Sequence, residues 1–168
     1  MSKGIFIQMT GLSGAGKTTL AHAVQERLLE HAVENIEIID GDEYRAGLCS
    51  DLGFSKEDRN TNIRRLGFVG RVLARNGVVA IMSAINPYEE VRQEIGGKLV
   101  YIKTGLDAVV SRDVKGLYAK ALSGEISNFT GISDPFEEPA TPDLVIETDK
   151  NTLHDCVTQL YEFVVENI

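Results

Sequence analysis

Residues 11–19 read Gly11-Leu12-Ser13-Gly14-Ala15-Gly16-Lys17-Thr18-Thr19, which fits the spacing G-x-x-x-x-G-K-[ST]. Residues of these types at this spacing make a cradle for phosphate. The glycines let the backbone turn tightly and aim its N–H groups at anionic oxygens. The Lys17 ammonium would reach the β- and γ-phosphates, and the Thr18 hydroxyl is suited to ligating Mg²⁺. A glycine-rich turn without function would not need Lys and Thr at those two places, so the segment predicts a nucleotide site. Other chemistry-bearing residues lie further along: the carboxylates Asp40 and Asp42, the run Ser83 to Asn86, and the cations Arg112 and Lys115. Asp40-Gly41-Asp42 reads equally as a helix cap, and Arg112 and Lys115 as an exposed charged helix, when the residues are taken alone.

These groups need elements that bring them to one place. Five short apolar runs predict strands at 5–9, 36–39, 78–82, 98–102 and 143–147. Helical periodicity separates several of them, at 17–31, 55–75 and 151–166; the last carries Leu153, Val157, Leu160 and Val164 on one face. The alternation predicts an α/β fold with a parallel sheet covered on both sides. Ligands of such sheets bind beyond the carboxyl ends of the strands. That rule brings Asp40 and Ser83 to Asn86 to the same edge as the phosphate loop. Residues 112–142 break the alternation and hold three of the four prolines. A stretch this long between strands is a linker or a functional lid, and a lid is the expectation here.

With 168 residues, 43% hydrophobic and 25% charged, the chain is expected to form a single globular domain, 1–168. No apolar run reaches membrane-spanning length and no leader pattern precedes the first strand, so a cytoplasmic protein without membrane contact is expected. The net charge of −8 argues against non-specific binding of nucleic acid. Residues 56–75 hold six basic and two acidic residues, leaving that stretch at +4 and the remainder at −12. A local basic surface in an acidic protein suits a small anionic ligand. Cys49 and Cys156 show no zinc spacing and are expected as free thiols. His22, His31 and His154 form no cluster and read as surface residues.

Taken in order, several runs resemble the adenylylsulfate kinase family over nearly the full length. They are Gly11–Thr19; Asp40-Gly41-Asp42 with Arg45; Asp51-Leu52-Gly53-Phe54-Ser55; Asp58-Arg59 and Asn62-Ile63-Arg64-Arg65; Pro87-Tyr88; Arg112-Asp113-Val114-Lys115-Gly116-Leu117-Tyr118; and Phe129-Thr130-Gly131-Ile132. The resemblance implies a P-loop kinase fold with a five-stranded parallel sheet, helices on both faces and a lid. It implies transfer of the γ-phosphoryl group of ATP to the 3′-hydroxyl of adenosine 5′-phosphosulfate, with Mg²⁺. It further implies a homodimer, and sulfate adenylyltransferase as a candidate functional partner. By similarity, Gly11–Thr19, Arg112 and Thr152 serve ATP. Asp42, Arg45, Phe54, Arg59, Asn62, Ile85, Asn86, Lys115, Phe129 and Thr130 serve the acceptor, with Phe54 and Phe129 sandwiching its adenine. Thr18 and Asp40 serve the metal, and Lys17, Asp40, Asp42, Arg112 and Lys115 the chemistry. Which of Asp40 and Asp42 is the base stays open.

The chain also departs from the family pattern. Asn86 stands where many members carry a serine that has been considered a phosphorylated intermediate. Ala119, Leu122 and Phe68 stand where charged residues are frequent. A different small-molecule kinase, a P-loop switch and a catalytically silent sensor are the competing readings. The paired aromatics and the Arg59/Asn62 pair argue against the first. The lack of an Asp in Val78–Met82 argues against the second.

Overall fold

The first strand, β1 (Ile5–Thr10), sends successive side chains to opposite faces of the sheet, and both faces are buried. Ile5, Ile7 and Met9 join one core, whereas Phe6 joins another. The computed structural model describes residues 3–168. Four further strands, β2 (Ile36–Asp40), β3 (Val79–Ser83), β4 (Lys98–Lys103) and β5 (Leu144–Glu147), complete a sheet of order β2-β3-β1-β4-β5. All four pairings are parallel, as the alternation of strands and helices predicts. The register sets Met9 and Asp40 on either side of Ser83, so the ends of β1, β2 and β3 share one edge.

Two long helices, α1 (Lys17–Glu30) and α7 (Leu153–Asn167), pack together on one face. Leu20, Val24 and Leu28 of the first and Leu160 and Val164 of the second are fully buried against Ile7, Met9 and Ile81. Burying one such side chain contributes roughly 1.5–3 kcal/mol. The other face carries α3 (Lys56–Arg75) and α4 (Glu89–Ile95), with Ile63, Leu66, Val91 and Ile95 against Phe6, Ala80 and Met82.

Strand boundaries agree with the sequence expectation to within one residue. Three short helices, α2 (Gly41–Ala46), α4 and α5 (Leu106–Arg112), were not anticipated, whereas α6 (Leu117–Leu122) falls where a charged helix was expected after Arg112. At six or seven residues they are too short to display a helical period. The segment 112–142 comprises the end of α5, all of α6 and irregular backbone with one bridge, Thr130 to Asp134. It has a small core of its own, in which Val109, Tyr118, Ala121 and Phe129 bury against Leu12 of the phosphate loop. Among the described residues no helix is long and apolar enough to cross a membrane.

Candidate active site

The phosphate loop runs from the end of β1 into the first turn of α1. Gly16 caps that helix at φ 103°, a left-handed conformation that disfavours any side chain. A Cβ on Gly11 would lie 2.5 Å from the Ile102 carbonyl oxygen, so only glycine lets the loop pass over β4. Three hydroxyl contacts hold the loop from outside. Thr148 Oγ1 donates to the Ala15 carbonyl at 2.7 Å, Thr104 Oγ1 lies 2.5 Å from Thr148 Oγ1, and the Tyr118 hydroxyl donates to the Ser13 carbonyl at 2.7 Å. Burial pushes that phenol up to about 12, helped by Asp113, so it stays a donor. Sequence reasoning missed Thr104 and Thr148, because a lone threonine at a strand end carries no signal.

Lys17 is buried, and its ammonium donates to the carbonyls of Gly11 at 2.9 Å and Leu12 at 2.8 Å. Burial, then the nearby Lys115 charge, pull its pKa down to about 7, against the opposing pull of Asp42 and Asp40.

Asp40 ends β2 and caps α2. One carboxylate oxygen accepts from the N–H of Asp42 at 3.0 Å and of Glu43 at 3.2 Å. The other accepts from Thr18 Oγ1 at 2.9 Å, and Thr18 lies 3.0 Å from Ser83 Oγ. The helix-cap reading of Asp40 and its placement beside Thr18 are therefore both true. These hydroxyl and carboxylate oxygens are hard donors of the kind Mg²⁺ takes when phosphates and water complete its shell, so the residues present fit that ion. Among the described residues no cluster of three or more His, Cys, Asp or Glu offers a cage made by protein alone. Asp42 extends into solvent and pairs with Lys115 at 2.5 Å.

One cavity of about 470 Å³ joins these groups. Its lining includes Ser13, Gly14, Gly16, Lys17, Thr18 and Thr19 of the loop, with Asp40, Asp42 and Lys115. Arg45, Phe54, Arg59, Asn62, Ile85 and Asn86 also line it. Phe54 is 59% exposed and carries the Arg45 guanidinium 4.3 Å over its ring. The next residue, Ser55, caps α3 by accepting from Asp58 N–H at 3.1 Å, which fixes Phe54 at the helix entry.

The remaining expected residues are placed as follows. Phe129 does not line the cavity; it is 9% exposed and meets Tyr118 edge-on at 5.0 Å. Its ring packs in the apolar cluster with Val109, Tyr118 and Ala121. Thr130 accepts from Arg59, which also donates to the Asn128 carbonyl and, at 2.9 Å, to the Phe54 carbonyl. Arg59 thus joins the 54 and 128–134 segments, and much of its donor capacity is engaged there. Arg112 lies outside the phosphate loop and donates to the carbonyls of Gly14 at 3.4 Å and Thr148 at 3.3 Å. Thr152 does not line the cavity and serves as the N-cap of α7, accepting from Asp155 N–H at 3.1 Å. Gly11, Leu12 and Ala15 shape the loop from behind without lining the cavity.

A sequence model of the adenylylsulphate kinase family matches residues 3–147. An adenylyl-sulfate kinase of Rippkaea orientalis is 48% identical over 169 residues, covering 98% of this chain and 93% of that protein. An adenylyl-sulfate kinase of Chloroflexus aurantiacus is 52% identical over 162 residues, covering 94% and 87% respectively. The solved APS kinase of Mycobacterium tuberculosis in complex with AMPPNP and APS superposes with a TM-score of 0.90 at 38% identity, over 98% of this chain and 99% of that one. The chain belongs to the adenylylsulphate kinase family.

Proposed function

We propose that the cavity transfers the γ-phosphoryl group of ATP to the 3′-hydroxyl of adenosine 5′-phosphosulfate, giving ADP and 3′-phosphoadenosine 5′-phosphosulfate. The observation that carries this reading is the continuity of the cavity. Phosphate-loop residues, the carboxylates Asp40 and Asp42, the arginines Arg45 and Arg59 and the exposed Phe54 all line this one cavity. The relative from Mycobacterium tuberculosis, whose structure holds AMPPNP and APS together, supports the same division into two nucleotide sites.

Phosphoryl transfer asks the protein mainly for positioning and charge neutralisation. The loop N–H groups and Lys17 hold the triphosphate. Thr18 and Asp40 would hold Mg²⁺, which when bound neutralises charge on the β- and γ-phosphate oxygens. Asp40 has its oxygens committed to Thr18 and to α2, whereas Asp42 is free to turn from Lys115 to another partner. We therefore assign the acceptor hydroxyl to Asp42. Lys115, released from that pair, neutralises the transferring group. Phe54 stacks on the acceptor base, and Arg45 with Asn62 receives its phosphosulfate. Homodimer formation rests on the family resemblance, and light scattering on the purified protein tests it.

Asn86 has no hydroxyl, so transfer runs directly between the two nucleotides. Incubation with γ-labelled ATP alone leaves the protein unlabelled; acid-stable label on Ser83 would overturn direct transfer. The function itself is tested by following nucleotides chromatographically with Mg-ATP, with and without adenosine 5′-phosphosulfate. ADP that appears only with the acceptor, matched by 3′-phosphorylated product, is the expected result. Acceptor-independent ADP would instead support the switch reading.

A further inference from the structure

Arg92 lies on α4, 1% exposed, and does not line the cavity. A guanidinium withdrawn from water costs several kcal/mol unless its donors are met. Here all five are met. Nε and Nη2 donate to Glu89 Oε2 at 3.1 and 2.6 Å, and Nη2 also to the Glu137 carbonyl at 2.6 Å. Nη1 donates to the Asn86 carbonyl at 2.9 Å and to Thr10 Oγ1 at 3.4 Å. These acceptors belong to four separate pieces of chain: α4, the loop after β3, the end of β1 and the root of the 112–142 segment.

The same knot is tightened by neighbours. Thr10 Oγ1 lies 2.9 Å from the Ile85 carbonyl and 2.8 Å from that of Asn86, and Gly11 N–H donates to Ile85 at 3.1 Å. Gln8 Nε2 donates to the carbonyls of Arg92 and Gly96, which turns Gln8 Oε1 toward Asn86 Nδ2 at 2.9 Å. Asn86 is thereby held at φ 50°, a left-handed conformation that Asn tolerates better than most residues. Glu137 N–H also donates to the Pro87 carbonyl at 2.9 Å.

We propose that Arg92 is a positioning residue for phosphoryl transfer. It fixes the Ile85–Asn86 wall of the acceptor side against the Gly11 end of the phosphate loop. It also ties the root of the 112–142 segment to that wall. The inference rests on the assignment of the two sides made above. Lysine has only three donors and no planar fork, and cannot reproduce five contacts in one plane. Displacing a reacting group by about 1 Å costs about 10²-fold in rate.

The test compares wild type with Arg92→Lys, Arg92→Met, Thr10→Val and Thr10→Ser. It reads kcat, the KM of each substrate, and calorimetric Kd values for adenosine 5′-phosphosulfate and a non-hydrolysable ATP analogue. Arg92→Lys is expected to lose about 10²-fold in kcat/KM for the acceptor. Acceptor affinity falls while ATP KM and analogue Kd stay at the wild-type values. Thr10→Val shifts the same quantities in the same direction, and Thr10→Ser, which keeps the hydroxyl, recovers them. The Thr10 pair decides the matter if the Arg92 variants fail to fold. A lower Tm with unchanged acceptor KM and Kd overturns the inference, as does an equal loss for both nucleotides. A wild type that binds both nucleotides without making product refutes the proposed function instead. The acceptor Kd values still decide the role of Arg92 in that case.

Discussion

Lys17 is buried in the lining of the cavity, where a polyphosphate would meet it. Buried on the carbonyls of Gly11 and Leu12, it titrates at about 7, and bound phosphate favours its charged form. Nucleotide binding above neutrality should therefore take up protons, and affinity should fall as pH rises above 7. Calorimetry at pH 8 in two buffers of different ionisation heat measures this; buffer-independent heats would refute it. The folded-state pKa lies below the ordinary lysine value of 10.5, so between about 7 and 10.5 the unfolded chain binds the extra proton. Stability contributed through this group then rises with pH across that window, and the penalty is full below it. Lys17→Met should raise Tm more at pH 6 than at pH 10 while abolishing turnover. The two carboxylates should separate in the same way. Asp40→Ala loses a helix cap worth about 1 kcal/mol as well as activity. Asp42→Asn, which breaks only an exposed pair, should keep the wild-type Tm and lose about 10²–10⁴-fold in kcat. Wild-type kcat in Asp42→Asn would remove it as the proton acceptor.

Among the elements, α7 gives one residue a structural role beside its expected one. Thr152 matches a family position near the ATP adenine, yet its hydroxyl caps the helix and bonds the Asp155 carboxylate at 2.7 Å. Thr152→Val should cost about 1 kcal/mol of stability and leave the KM for ATP unchanged; a raised KM would restore its binding role. The long helices α1, α3 and α7 and all five strands were legible because each repeats its apolar residues often enough to define a period. The short helices α2, α4 and α5 were not, because six or seven residues hold fewer than two turns. The 112–142 segment was recognisable as irregular from its prolines and glycines. Its own core around Tyr118 and Phe129 was not, since that core needs Val109 and Leu12 from elsewhere in the chain.

For the whole molecule, the sheet divides the protein into two cores with one cysteine in each. Cys49 packs with Ile63 and Met82 on the α3 side, and Cys156 with Leu160 on the α1–α7 side. Burial pushes both thiols up from their ordinary value. Neither is positioned to meet the other through the sheet. Alkylation should be negligible in the native protein and complete at both positions after denaturation, as mass spectrometry reads it. A disulfide forming in the folded protein under mild oxidant would contradict this placement.

The phosphate loop and the strand order's raw material could be read from the chain, because each is a short local pattern of residue type, whereas the acceptor-side residues were named through the family resemblance. Gly11 to Thr18 carry their function in their own spacing, and alternation of strand and helix implies a parallel sheet whatever lies between. Other assignments depend on contacts that no local pattern encodes. Asp40 is committed to Thr18, 22 positions away. Arg92 meets Thr10 across 82 positions. Arg59 spends its donors on a segment about 70 positions on, and Phe129 turns into a cluster rather than a cavity. Burial decides such cases: once a polar or aromatic group leaves water, it must take whichever partners the fold brings near, and only the folded chain settles which those are.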